Sequence, residues 1–352
     1  MTTKLRRSAG FGEMNYSRVE MDKRFPALRV ALTTCCNLRC EYCPPKGENF
    51  INTKNDLSAK KLLSILNVFY EIGFRHFGFT GGEPLLRNDL HLILRECSKF
   101  QDSFLKLYTN GILLKERIEI LRNLNLIKLS LDSIERNKYR KITGKEKLKS
   151  VLEGLESAIE NKIKIRINAV LTQKNFDGML NLIDFCCSKK IDLKILDLNC
   201  FDTPGHSIWR RLYKSPSEIA GLLERNGLTK RIIYTTGNYG IPMPEFRWNG
   251  TSIRIKDTKE SSVYSPACKS CRYFLCQEGL YHLTLTSDGK LKMCRHRPDI
   301  YTDLSQKTDS EIKKEILRFL NEHYFSSERI FHQKQLFLGY FATNGDEKRK
   351  KI

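Results

Sequence analysis

Three cysteines fall in one short run, Cys36-Asn37-Leu38-Arg39-Cys40-Glu41-Tyr42-Cys43. The spacing Cys-x3-Cys-x2-Cys supplies three thiolates, whereas a cubane iron–sulfur cluster has four irons and is usually held by four cysteines. One iron would then lack a protein ligand, and an open coordination position points to chemistry rather than scaffolding. Two plainer readings stay open on spacing alone: buried thiols, or a structural zinc site. Zinc sites usually bring two paired halves, while this triplet stands well apart from the next cysteine, Cys97.

A second candidate follows. The apolar run Phe74–Phe79 predicts a short buried strand, and it ends at Gly81 and Gly82 ahead of Glu83. Glycines there permit close approach of the backbone to a ligand; an ordinary strand-to-helix turn is the alternative. Polar residues also stand at other predicted strand ends: Thr109-Asn110-Gly111, Ser130-Leu131-Asp132-Ser133 and Arg166-Ile167-Asn168. Taken singly, each is a turn or cap residue.

These residues need elements to position them. Strands are predicted over 28–33, 74–79, 104–109, 127–131, 163–171 and 193–198. Amphipathic helices are predicted between them. One starts at the N-cap Ser58, carries Leu62, Leu63, Leu66 and Phe69, and stops at Gly73. Another carries Leu148, Val151, Leu152, Leu155 and Ile159, and a third runs from about Phe176 to Lys189. Strands separated by such helices imply a parallel sheet with right-handed crossovers. The fold class is α/β, and six units suit an open, partial (β/α)6 barrel. Barrel sites sit at the C-terminal strand ends, where the cysteine loop and the two glycines both fall.

The 352 residues carry a net charge of +21, which implies an anionic partner such as a nucleotide, a phosphorylated metabolite or RNA. A lysine-rich proteome with solvated helix faces is the competing explanation. The basic residues are dispersed and form no RNA-binding motif, so nucleic acid is not expected. No apolar stretch reaches membrane-spanning length, and the N-terminus lacks a secretory h-region. A cytoplasmic location is the expectation, in keeping with cysteines used for clusters rather than disulfides. Cys35, Cys97, Cys186, Cys187 and Cys200 read as core thiols.

A second cysteine group stands near the C-terminal end: Cys268, Cys271, Cys276 and Cys294. Cys276 and Cys294 embrace Gly289 as Cys-x12-Gly-x4-Cys, and Thr286–Lys290 reads as a hairpin turn. Four thiols admit a tetrahedral zinc or a second 4Fe–4S cluster, and spacing alone leans to zinc.

The triplet followed by Gly81-Gly82-Glu83-Pro84 resembles the radical S-adenosylmethionine (SAM) superfamily. From about Leu28 to Cys294 the chain resembles its GTP 3′,8-cyclase family of molybdenum-cofactor synthesis. The matching strings are Thr80–Leu90, Thr109–Leu114, Ser130–Ser133, Ile142–Gly144 and Leu285–Cys294. The resemblance implies a partial (β/α)6 radical SAM barrel with a C-terminal auxiliary-cluster extension. It implies a 4Fe–4S cluster on Cys36, Cys40 and Cys43, with SAM chelating the open iron. Gly81, Gly82 and Glu83 would meet the methionine end of SAM, and Tyr42 would lie beside the adenine. Thr109, Ser130, Arg166 and Asn168 would contact SAM as well, Arg166 near its carboxylate. The resemblance also turns the second group into a second 4Fe–4S cluster on Cys268, Cys271 and Cys294, with Cys276 as fourth ligand or bystander. The expected divisions are an N-terminal arm 1–26, the barrel 27–200, a connecting region 201–265, an auxiliary-cluster segment 266–300 and a basic helical tail 301–352.

The chain departs from the cyclases where substrate would bind. His76, Gly78, His282 and Thr284 stand where that family has basic residues, and only Arg29 is retained among the anion-holding positions that can be mapped. The expected function is therefore a radical SAM enzyme. It would cleave SAM reductively to a 5′-deoxyadenosyl radical and abstract hydrogen from a small anionic metabolite in a biosynthetic pathway. Arg295, His296 and Arg297 are candidate anion contacts, and a flavodoxin- or ferredoxin-type protein is the expected electron donor. Alternatives are a GTP 3′,8-cyclase with rearranged anchors, a peptide-modifying maturase, and a non-catalytic iron–sulfur or RNA-binding protein. About 27 residues before the first strand would be too few for a leader-peptide-binding domain.

Overall fold

A computed structural model describes residues 27–43, 56–199, 207–234, 242–257, 261–264, 268, 271, 276, 282–297, 299–325 and 330–333. The predicted arm 1–26, Cys200 and the end of the basic tail lie outside these residues.

The six predicted strands form as β1 Ala27–Ala31, β2 His76–Thr80, β3 Phe104–Thr109, β4 Leu126–Ser130, β5 Ile165–Val170 and β6 Asp192–Leu196. Each runs parallel to the next. Between them lie helices α1 Ala59–Ile72, α2 Leu90–Cys97, α3 Arg136–Thr143, α4 Leu148–Glu160 and α5 Met179–Ser188. The α1 signals act as read: the Ser58 hydroxyl accepts from the Lys61 amide at 3.3 Å, and Gly73 ends the helix at φ 119°. The Phe74 amide then returns to the Phe69 carbonyl at 3.0 Å. Phe74 therefore closes the helix, and β2 starts at His76, later than the apolar run predicts.

Alternation along each strand separates two faces. Leu105 and Leu107, Ile127 and Leu129, Ile167 and Ala169, and Leu193 and Ile195 are buried in the core. The intervening residues point to the barrel interior.

The sheet extends beyond the six units at both edges. The region expected only to connect, 201–265, carries helices α6 Ser207–Leu212 and α7 Pro216–Arg225 and strands β7 Arg231–Tyr234, β8 Pro242–Trp248, β9 Thr251–Lys256 and β10 Ser261–Tyr264. Strand β9 pairs in parallel with β6, and β8 and β7 follow antiparallel. At the other edge β11 His282–Leu285 runs parallel to β1 and turns back into β12 Lys290–Lys292. That turn is the predicted hairpin: Gly289 adopts φ 92° and the Thr286 hydroxyl accepts from the Lys290 amide at 2.9 Å. Strand β13 Tyr301–Asp303 completes a 12-stranded sheet. Helix α8 Asp309–Leu320 opens with a Thr308–Glu311 capping box and buries Ile312, Ile316 and Phe319. Strand β14 Ile330–Gln333 pairs with β10. No described helix is long and apolar enough to cross a membrane.

Candidate active site

The cysteine loop leaves the C-terminal end of β1 and is held from two sides. On one side the Gly82 amide donates to the Thr33 carbonyl at 2.8 Å and the Glu83 amide to the Cys35 carbonyl at 2.6 Å. A Cβ on Gly82 would stand 2.1 Å from the Cys35 carbonyl oxygen, and one on Gly81 2.4 Å from that of Thr33. The glycines permit close approach to the cysteine loop itself. Gly82→Ala is expected to displace the loop and destabilise the protein by about 1–3 kcal/mol, the cost of overpacking a tight site. Thermal unfolding together with a lowered iron content after reconstitution would measure it. On the other side the amides of Arg39 and Glu41 each donate, at 3.0 Å, to the carbonyls of Thr143 and Ile142. The Ile142-Thr143-Gly144 string is therefore the second clamp, with Gly144 at φ 75° beside the Arg39 backbone.

Glu83 organises the adjoining strand end. Its buried carboxylate accepts from the Thr109 hydroxyl and the Asn110 amide, both at 2.7 Å, and from the Leu85 amide at 3.1 Å. Burial lifts this carboxyl from 4.5 to about 7, against the pull of the three donors. Thr109 is thereby turned onto Glu83. Asn110, which sequence reading passed over as part of a turn, reaches Asn37 Oδ1 at 2.7 Å and the Cys36 sulfur at 3.9 Å. The Tyr42 hydroxyl donates to Asp132 Oδ2 at 2.6 Å, and Asp132 Oδ1 accepts from the Val170 amide at 2.8 Å. Burial raises Asp132 to about 6. Asp132 is a second residue missed in the sequence, since an aspartate after a strand reads as a cap.

Cys36, Cys40 and Cys43 are half-buried at the mouth of one cavity of about 750 Å³. Burial pushes the Cys40 thiol up, and Asp132, Cys43 and Cys36 push it further. The Cys36 sulfur accepts from the Leu38 amide at 3.5 Å. Crowded thiols with amide donors aimed at sulfur suit a cationic cluster, which supplies the missing positive charge. Among the described residues no three His, Cys, Asp or Glu side chains are gathered so as to hold a single metal ion.

Tyr42, Gly81, Gly82, Glu83, Thr109, Ser130 and Arg166 all line this cavity. Asn168 stands beside Ser130 across the β4–β5 ladder. Arg166 lies one pleat deeper, opposite Lys128 and Asp192.

The barrel floor adds cations to Arg29, the one retained among the mapped positions. Lys106, Lys128, Arg166, Lys194 and Arg254 line the same cavity from β3, β4, β5, β6 and β9. Arg254 is paired with Glu245 at 3.2 Å. No described carboxylate lies within ion-pair distance of Lys106, Lys128, Arg166 or Lys194. Burial, reinforced by Arg166, Lys106 and Arg29, drives Lys128 far below the usual lysine range. Burial and then Lys128 and Arg166 do the same to Lys194. The signal was present in the sequence: each strand carries a cation between aliphatics, as in Leu105-Lys106-Leu107, Ile127-Lys128-Leu129, Ile165-Arg166-Ile167, Leu193-Lys194-Ile195 and Ile253-Arg254-Ile255, the last followed by Lys256. Period-two alternation puts all five on the inner face.

In the second cysteine group, Cys294 is buried and packs in the same core cluster that Cys268 adjoins. The Cys271 amide donates to the Cys268 carbonyl at 2.9 Å, and the His296 amide lies 3.3 Å from the Cys294 sulfur. Cys276 is half-buried. Arg295 reaches the main cavity, His296 is buried, and Arg297 is held by Asp299 at 2.6 Å. Of the three candidate anion contacts, Arg295 alone lines the site.

A parallel partial barrel with a three-thiol loop at its mouth, braced by a glycine–glutamate segment, defines an enzyme scaffold of the SAM-cleaving iron–sulfur class. The radical SAM superfamily pattern matches residues 30–186. A protein of Archaeoglobus fulgidus named a probable GTP 3′,8-cyclase is 31% identical over 311 residues, covering 85% of this chain and 95% of that protein. Another of the same name, from Sulfurisphaera tokodaii, is 30% identical over 281 residues, covering 79% and 83%. The crystal structure of Streptococcus suis SuiB bound to S-adenosylmethionine superposes with a TM-score of 0.59 at 19% identity. It covers 81% of this chain, which spans 64% of SuiB, less than two thirds. That likeness shows the fold. The chain belongs to the radical SAM superfamily, in the group that holds these GTP 3′,8-cyclase relatives.

Proposed function

We propose that this radical SAM enzyme acts on a small, polyanionic metabolite bound on the basic barrel floor beneath its SAM site. The observation that carries the reading is the set of inward cations Lys106, Lys128, Arg166 and Lys194, none within ion-pair distance of a described carboxylate, with Asp192 opposite Arg166 the one acidic neighbour acting on the group. Buried charges without counter-ions are costly, and an anionic substrate supplies what the protein omits.

A 4Fe–4S cluster on Cys36, Cys40 and Cys43, with SAM on its open iron, would supply the 5′-deoxyadenosyl radical. Tyr42, Gly81, Gly82, Ser130 and Asn168 are assigned to SAM. Glu83 and Thr109 act at one remove, by fixing the strand end through hydrogen bonds to each other and to Asn110. Arg166, the candidate SAM contact one pleat deeper than Ser130 and Asn168 and beside Lys128, is proposed to face the substrate. Cys268, Cys271, Cys276 and Cys294 are assigned to a second 4Fe–4S cluster. Arg295, next to Cys294 and on the cavity wall, links the two sites. A flavodoxin- or ferredoxin-type donor would provide the electron.

GTP cyclisation is the second reading, favoured by relatives at 30–31% identity that carry that name. Anaerobic reconstitution with iron and sulfide, followed by SAM and reductant, tests the assignment. About eight irons per chain and release of 5′-deoxyadenosine are expected. About four irons with one zinc would remove the second cluster. A cyclised purine product from GTP would decide for the second reading. Absence of 5′-deoxyadenosine from a fully loaded enzyme would defeat both.

A further inference from the structure

The basic floor is not continuous. Gly78 of β2 has no side chain, and a Cβ there would stand 3.0 Å from Cε2 of Tyr108, so the Tyr108 ring lies across β2 in the space that Gly78 leaves. Arg29, on β1, approaches the ring centroid to 5.3 Å. Lys128, on β4, approaches it to 4.5 Å and donates to the phenol oxygen at 2.9 Å. The ring is thus held from both flanks by cation–π contacts. It separates Arg29, which touches His282 at 3.4 Å, from the group of Lys128, Arg166 and Lys194 on the far side. Arg29, Tyr108, Lys128, Arg166, Lys194 and His282 line the cavity.

We propose that Tyr108 is a specificity-determining residue that partitions the barrel floor, so that the enzyme accepts a compact phosphoryl or diphosphoryl group on the Lys128–Lys194 side and resists a longer phosphate chain. A chain long enough to engage Arg29 and Lys194 together has to pass through the volume of the ring. The inference rests on the anion-binding reading above and adds the size limit.

The test uses the full-length, cluster-loaded protein under anaerobic conditions, with inorganic pyrophosphate and tripolyphosphate as probes at equal ionic strength in titration calorimetry. Wild type is expected to favour pyrophosphate. Y108T is expected to shift the affinity ratio about tenfold toward tripolyphosphate, equivalent to about 1.4 kcal/mol. Y108F keeps the ring and is expected to keep the wild-type ratio, which separates volume from hydroxyl chemistry and guards against a Y108T that fails to fold. An unchanged ratio in folded Y108T, or loss of discrimination in Y108F, overturns the role of Tyr108 while leaving the anion site intact. Failure of both probes to bind wild type overturns the anion site and, with it, this inference.

Discussion

Cys40→Ala is expected to abolish cluster binding at the barrel mouth and with it all release of 5′-deoxyadenosine from SAM. Cys40 is the proposed middle ligand of the triplet, and in the cluster-free protein burial and its neighbours Asp132, Cys43 and Cys36 push its thiol up, toward the protonated form. Two remaining thiols cannot hold a cubane that already lacks a fourth protein ligand. The loop itself survives, because it is pinned by backbone hydrogen bonds to Gly82, Glu83, Thr143 and Ile142 rather than by the sulfur. Iron analysis after reconstitution should show a loss of about four irons per chain, with unchanged far-ultraviolet circular dichroism. A variant that keeps its iron and still cleaves SAM would remove Cys40 from the ligand set.

The double variant R166M/K194M produces the second largest effect, and it acts differently on binding and on stability. Each lost charge-assisted contact to a phosphoryl oxygen is worth about 1.5–3 kcal/mol. Affinity for pyrophosphate should therefore fall by about 10²–10⁴-fold. The ligand-free protein should become no less stable, since Arg166 and Lys194 are half-buried beside Lys128 and Arg254, with Asp192 opposing the repulsion only at Arg166. Apolar replacement of buried charges is often neutral or stabilising. Calorimetric titration and thermal unfolding read the two effects separately. Weaker binding with an unaltered or higher melting temperature is expected. Unchanged affinity would mean that these cations serve the scaffold alone.

The elements most legible in sequence are those whose signals are local. Ser58 and Gly73 bound α1 where the cap chemistry places them, and strand β3 occupies the residues that its alternation predicts. The hairpin at Thr286–Lys290 forms through its own Thr286 and Gly289 geometry. The two glycines before Glu83 were legible as a close approach but not in what they approach. That partner, the backbone of Thr33 and Cys35, is far away in sequence. Asn110 and Asp132 were passed over for the same reason: each looks like a cap until the fold brings Cys36 or Tyr42 to it.

The chain alone determined the chemistry of the mouth: the spacing of Cys36, Cys40 and Cys43 and the segment that follows β2 are contiguous patterns, and they carry the superfamily assignment. Tertiary structure decided the character of the floor. Lys106, Lys128, Arg166, Lys194 and Arg254, each unremarkable within its own strand, become one electrostatic group only when parallel register sets Lys128 beside Arg166 and Lys194 beside Arg254 and the cavity gathers all five. Charge repulsion and burial act between strands, through a few ångströms of space, so no reading along a single strand contains them.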